Sequence, residues 1–210
     1  HDRTIRLWDP VSGSHMLQRD GHDDGIVATV FSPDGIAIAS CSLDESLRLW
    51  DAQSGCHMLT LEGQSGAADW GFSYSPDGKT VHAACADECG CIQVWNAASG
   101  EGRRLTLEGL SDKVRHVCFS PDGSTLATWN RTSRLRADIS PIRLWDTVTW
   151  SLMATLSASG TVWSIAFSPD GRTVAAASDS RVIPLWDVES GRNKRNLHGH
   201  SKGVQSVAFS

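Results

Sequence analysis

Residues 21–51 read GHDDGIVATVFSPDGIAIASCSLDESLRLWD, and their order of signals recurs along the whole chain. A Gly-His pair leads into an apolar strand pattern over Ile26–Phe31. The turn Ser32-Pro33-Asp34-Gly35 follows, then a second strand pattern over Ile36–Cys41, a short loop, and Leu47-Arg48-Leu49-Trp50-Asp51. Proline presets the backbone of the turn, the aspartate caps it, and the glycine takes the left-handed position that closes a hairpin. The unit is one supersecondary module, copied at a period of a little over forty residues.

Two independent anchors keep step over the chain. Trp-Asp or Trp-Asn occurs at Trp8, Trp50, Trp95, Trp145 and Trp186, with spacings of 42, 45, 50 and 41. Ser-Pro-Asp-Gly begins at Ser32, Ser75, Ser120 and Ser168, with spacings of 43, 45 and 48. In Ile5-Arg6-Leu7-Trp8 the aliphatic residues share one face of a strand and Arg6 and Trp8 the other. A sheet built this way is packed by neighbours on both faces. Burying one Trp removes roughly 150–250 Å² from water, on the order of 4–6 kcal/mol.

These motifs (GH, SPDG, Leu-x-Leu-Trp-Asp and the Ser-Gly that follows it) resemble those of the WD-repeat or WD40 family, over nearly all of the chain. The resemblance implies an all-β fold, a β-propeller of four-stranded antiparallel blades. It has four complete repeats plus partial repeats at both ends, in an incomplete or five-bladed ring. The repeats fall at about 1–21 (partial), 22–64, 65–110, 111–158, 159–200 and 201–210 (partial), for nineteen strands in all. The pattern reads as a propeller segment of a larger signalling or regulatory protein with flanking domains, poorly soluble when excised. The resemblance also maps a structural hydrogen-bond tetrad onto His22, Ser40, Asp44 and Trp50. The same Ser, His and Asp suggest a hydrolase, but a hydrolase reading leaves Trp50 unexplained.

Departures from the repeat are informative. In the second repeat Gln64, Ala83 and Asn96 replace the expected His, Ser and Asp, and only Asp87 and Trp95 of the tetrad remain. A lengthened loop there carries His82, Cys85, Cys89 and Cys91, soft ligands that could hold zinc, although their odd spacing favours core and loop residues and no metal. The third repeat has Leu110 and Thr128 at the His and Ser positions. Its long loop carries Arg131, Arg134 and Arg136, either a solvated insertion or a partner-facing one. Trp150 stands where that repeat's second turn has glycine elsewhere, so the turn should be strained or reshaped. In the fourth repeat Ser159, Ala176 and Ser180 fill the tetrad positions, and Pro184 in the third strand should produce a bulge or distortion.

The chain has 210 residues, a formal charge of −5 and 40% hydrophobic residues. It can bury a sizeable core, and its acidity argues against a general affinity for nucleic acid or anionic membrane. No membrane-spanning run or signal peptide is present. Six cysteines at repeat-dependent positions do not form a disulfide framework, so a reduced, cytoplasmic protein is expected. No phosphate loop, dinucleotide fingerprint or nucleophile elbow occurs, and no cofactor is implied. The resemblance places Val27, Trp70, Arg115, Trp163 and Gln205 at the mouth of an axial channel on the top face, with the arginine-rich loop. Trp and Arg are enriched in interface hot spots, which points to a non-enzymatic scaffold for a protein or peptide partner with an acidic segment. The alternatives are an axial active site, for which only Arg115 and Asp69 offer titratable groups, and a spacer between domains.

Overall fold

The computed structural model describes residues 3–61, 71–84, 91–107, 114, 116–129 and 139–210. Eighteen strands and no helix occur among them. β1 (Thr4–Trp8) and β2 (His15–Asp20) form a two-stranded sheet. Four antiparallel four-stranded blades follow in chain order, arranged as a β-propeller. Blade one comprises β3 (Ile26–Phe31), β4 (Ala37–Ser42), β5 (Leu47–Asp51) and β6 (His57–Leu61). Blade two comprises β7 (Phe72–Tyr74), β8 (Thr80–Ala84), β9 (Cys91–Asn96) and β10 (Gly102–Thr106). Blade three comprises β11 (His116–Phe119), β12 (Thr125–Trp129), β13 (Ile139–Asp146) and β14 (Leu152–Ser159). Blade four comprises β15 (Val162–Phe167), β16 (Thr173–Ser178), β17 (Ile183–Asp187) and β18 (Asn193–Leu197).

The core lies in the seams between sheets, as two-faced strands require. Leu47 and Leu49 pack forward against Tyr74, Val81 and Trp95 of blade two. Trp50 packs backward against Ile5 of β1. Trp145 repeats this against Ile92 and Val94 of blade two, and Trp186 against Ile142 and Leu144 of blade three. These four indoles are at most 4% exposed, whereas Trp8, with no sheet behind it among the described residues, is 55% exposed.

Both turn families follow from their side chains. In every Ser-Pro-Asp-Gly turn the serine hydroxyl donates to the aspartate, at 2.5–2.6 Å, and accepts the amide five residues on. After each Trp-Asp, the aspartate accepts the amide three residues on. The residue four positions on closes the turn and has φ of +67° at Gly55, +73° at Gly100 and +66° at Gly191. Trp150 adopts the same conformation at +57°, with its amide still bonded to the Asp146 carbonyl at 2.8 Å. The turn is strained and not reshaped, since the surrounding ladder dictates its path. A left-handed L-residue costs about 1–2 kcal/mol.

Two expectations are corrected, and that for Pro184 is met in one of its two forms. Residues 204–210 form no strand, because no neighbouring strand runs beside them among the described residues; only Val204 is anchored, its amide donating to the Ser178 carbonyl at 2.7 Å. Pro184 gives the expected distortion and not the bulge: the β16–β17 ladder stops at Ala175 and Leu185, since proline has no N–H to extend it. The bulge at Leu185 and Trp186 recurs at Leu49 and Trp50, where there is no proline. Cys91, expected as a thiol, is disulfide-bonded. Two further cysteines, Cys85 and Cys89, stand within the six residues before it in sequence.

Candidate interaction face

Antiparallel alternation puts the Ser-Pro-Asp-Gly and Trp-Asp turns of every blade on one edge. The described connections from β2 to β3, β4 to β5, β14 to β15 and β16 to β17 lie on the opposite, top edge. Among the described residues, Val27 stands at the start of β3 and Trp163 at the start of β15, next to this top edge.

Its best-defined part is the connection at residues 21–25. Trp50 Nε1–H donates to Ser40 Oγ at 2.7 Å. That hydroxyl therefore directs its own proton to His22 Nε2, 2.7 Å away, leaving Nδ1–H to donate to Asp44 Oδ2 at 2.9 Å. Asp44 also accepts the Asp23 amide at 2.8 Å and the Ser46 hydroxyl at 2.7 Å. Arg48 donates to the Gly21 carbonyl and lies 3.7 Å from both Asp44 and Asp23. Burial holds the His22 pKa below the ordinary histidine value, against the pull of Asp44, so the ring is neutral near pH 7. For Asp44 burial works in favour of protonation. Hydrogen bonds from Ser46, the Asp23 amide and His22 outweigh it and hold the carboxyl well below the usual range.

These distances resemble a nucleophile, a base and its orienting acid. The chemistry does not follow, because Ser40 is fully buried and its oxygen is occupied by the indole N–H. No substrate atom can reach it. The network instead ties the connection down onto the blade.

Val27 and Trp163 occupy equivalent positions in β3 and β15. Each is a β-bulge: Ile26 pairs with Ser42 and Ala28 with Cys41, while Val162 pairs with Ser178 and Ser164 with Ala177. A bulge drops one residue from the ladder and re-aims its side chain. Val27 is 44% exposed. Trp163 is half-buried, and its indole N–H donates to Asp179 Oδ1 at 2.7 Å. Gln205 is exposed, in the non-strand tail. Trp70, Arg115, Arg131, Arg134 and Arg136 lie outside the described residues, as do Asp69, Asp87, Cys85 and Cys89. Sequence reasoning missed Asp179, whose signal was the left-over aspartate after the fourth blade's second strand.

The turn face is acidic. Asp9, Asp34, Asp51, Asp77, Asp122, Asp146, Asp170 and Asp187 all have pKa values held down by hydroxyls and amides of their own turns.

A family model for "WD domain, G-beta repeat" (WD40) matches residues 13–51, 103–135 and 150–187, together just over half of the chain. The chain belongs to the WD40 family. This WD40 chain is 25% identical over 223 residues to WD repeat-containing protein VIP3 of Arabidopsis thaliana, covering all of the chain and 53% of VIP3. It is 32% identical over 179 residues to WD repeat-containing protein SL1-17 of Schistosoma mansoni, covering 84% of the chain and 55% of that protein. Periodic tryptophan protein 2 of Arabidopsis thaliana is 26% identical over 193 residues, covering 90% of the chain and 20% of the relative. The chain thus spans about half the length of the first two relatives. WD40 propellers are a general kind of protein-interaction scaffold, and this chain has that fold.

Proposed function

We propose that this WD40 propeller is a non-catalytic scaffold of an intracellular protein, binding a peptide or domain of a protein partner on its top face, at the mouth of the axial channel. The observation that carries the reading is the pair of bulges that drop Val27 and Trp163 out of their ladders at the starts of β3 and β15. An exposed aliphatic and a half-buried indole on rigid strands are the makings of an interface anchor. Arg115 and the arginines at 131, 134 and 136 would supply complementarity to an acidic segment of the partner, and Trp70 and Gln205 would complete the rim. The isolation of Ser40 from solvent supports a scaffold over a hydrolase.

Affinity capture from cell lysate with the wild-type chain, and with the double variant Val27→Glu, Trp163→Ala, tests the site. Discrete proteins retained by the wild type should be lost by the variant, and an acidic peptide carrying one aromatic residue should compete for them. An unchanged set of captured proteins, from a variant that melts as the wild type does, would count against this face.

A further inference from the structure

The seam between blades two and three holds a cavity of about 310 Å³ that opens on the turn face, opposite the site proposed above. Two departures from the repeat meet in its wall. His82 stands where blades one, three and four have Ala39, Ala127 and Ala175, judged by pairing in the ladders. Trp150 stands where the other turns have glycine. They are 68 positions apart in sequence, yet the two rings stack at 5.9 Å between centroids with an interplanar angle of 27°. Phe119 meets the His82 ring edge-on at 4.6 Å.

This arrangement is locally unfavourable for folding. Trp150 sits in left-handed backbone. His82 is 4% exposed; Thr80 Oγ1 lies 2.9 Å from its Nε2, and its Nδ1 has no partner among the described residues. An unmet buried polar atom is costly, and strain of this kind gathers at ligand clamps. The equivalent groove one seam earlier, about 360 Å³, has no aromatic ring from the following blade's second turn, where Gly100 takes the place of Trp150.

The charges at the rim indicate the occupant. Asp77 and Asp122 line the cavity as carboxylates, and Arg103 is its one formal cation among the described residues. Burial, with the charge of Arg103, pushes the His82 pKa down to about 4, so the imidazole adds no positive charge near pH 7. The lining itself keeps net negative charge and an indole, the two features that attract a cation, with Lys79 outside it at the exposed rim, 3.7 Å from Asp77.

We propose that this cavity receives an arginine or lysine side chain of a basic peptide partner, held against Trp150 with its charge between Asp77 and Asp122. The partner is distinct from the acidic one on the top face, and either site can fail without the other.

The test is fluorescence anisotropy of labelled octapeptides of glycine and serine with one central arginine, lysine, citrulline or glutamate, titrated with the 210-residue chain. Trp150→Gly is the informative variant, because glycine suits the left-handed turn and the change reproduces the earlier seam. The arginine and lysine peptides should bind the wild type, the citrulline and glutamate peptides about tenfold more weakly or not at all, and Trp150→Gly should lose about tenfold in affinity for arginine. Asp122→Asn should weaken arginine binding and flatten its salt dependence. No binding by the wild type, equal binding of citrulline, preference for glutamate, or an unchanged affinity in Trp150→Gly would each overturn the proposal. So would concentration-dependent self-association that Trp150→Gly abolishes, since the occupant would then be a second copy.

Discussion

Blades one and four bury the same indole to the same extent, 4% exposed at Trp50 and at Trp186, with opposite polar surroundings. Trp50 is wired through Ser40 and His22 to Asp44. At the corresponding places blade four has Ala176, Ser159 and Ser180. The network is therefore not what makes a blade. The difference lies in the connections: residues 21–25 separate β2 from β3, whereas Gly160 and Thr161 alone separate β14 from β15. Both connections keep one backbone bond, from Leu43 to the Gly25 carbonyl at 2.9 Å and from Asp179 to the Thr161 carbonyl at 3.1 Å. A two-residue connection has little freedom to lose and that bond suffices. The longer one needs His22, Asp44 and Arg48 to fix its path, and it borders the bulged Val27.

If packing makes the blade, removing the indole should be equally harmful in both. Trp50→Ala and Trp186→Ala should each cost about 3–5 kcal/mol in denaturant unfolding. A loss confined to Trp50→Ala would return primacy to the network.

The pH dependence should separate the blades next. An unfolded chain protonates His22 and His82 as pH falls through about 6.5, while both folded rings resist, His82 down to about 4. Their contribution is complete above about pH 6.5 and falls as the medium is acidified, by on the order of 3 kcal/mol for His82. Blade four holds no such ring in its strands. Chemical denaturation at pH 7.5 and pH 5 should show a drop that His82→Ala largely removes, and an unchanged drop would contradict the burial argument.

The repeat, the two turn families and the two-faced strands were legible in the sequence because each is set by neighbours within a few residues, as in Ser32-Pro33-Asp34-Gly35. The alternation of Leu49 and Trp50 likewise carries its own direction, forward and backward. What was not legible depends on distant partners. Nothing near Trp150 announces His82. Val204–Ser210 has a strand's composition, but strand formation requires a neighbour to pair with. At the candidate face, the residues of the network could be named from the motif, whereas Asp179, the acceptor of the Trp163 indole N–H, is marked only as an aspartate left over after β16.

Smaller effects refine the contrast. Ser40→Ala leaves the Trp50 N–H and His22 Nε2 without their shared partner and should cost about 1–3 kcal/mol. Ala176→Ser in blade four, lacking a histidine to complete a chain, should not stabilise the fold. Trp150→Gly should stay within about 1 kcal/mol of wild type, as relief of left-handed strain offsets lost indole packing.

Hydrogen–deuterium exchange of Ser40→Ala, resolved by peptide mass spectrometry, reads the division of labour directly. The network holding the connection and not the blade predicts faster exchange at residues 21–25 and 42–46, with β3–β6 as protected as in the wild type. Loss of protection throughout those four strands, with the connection unchanged relative to them, would contradict the account.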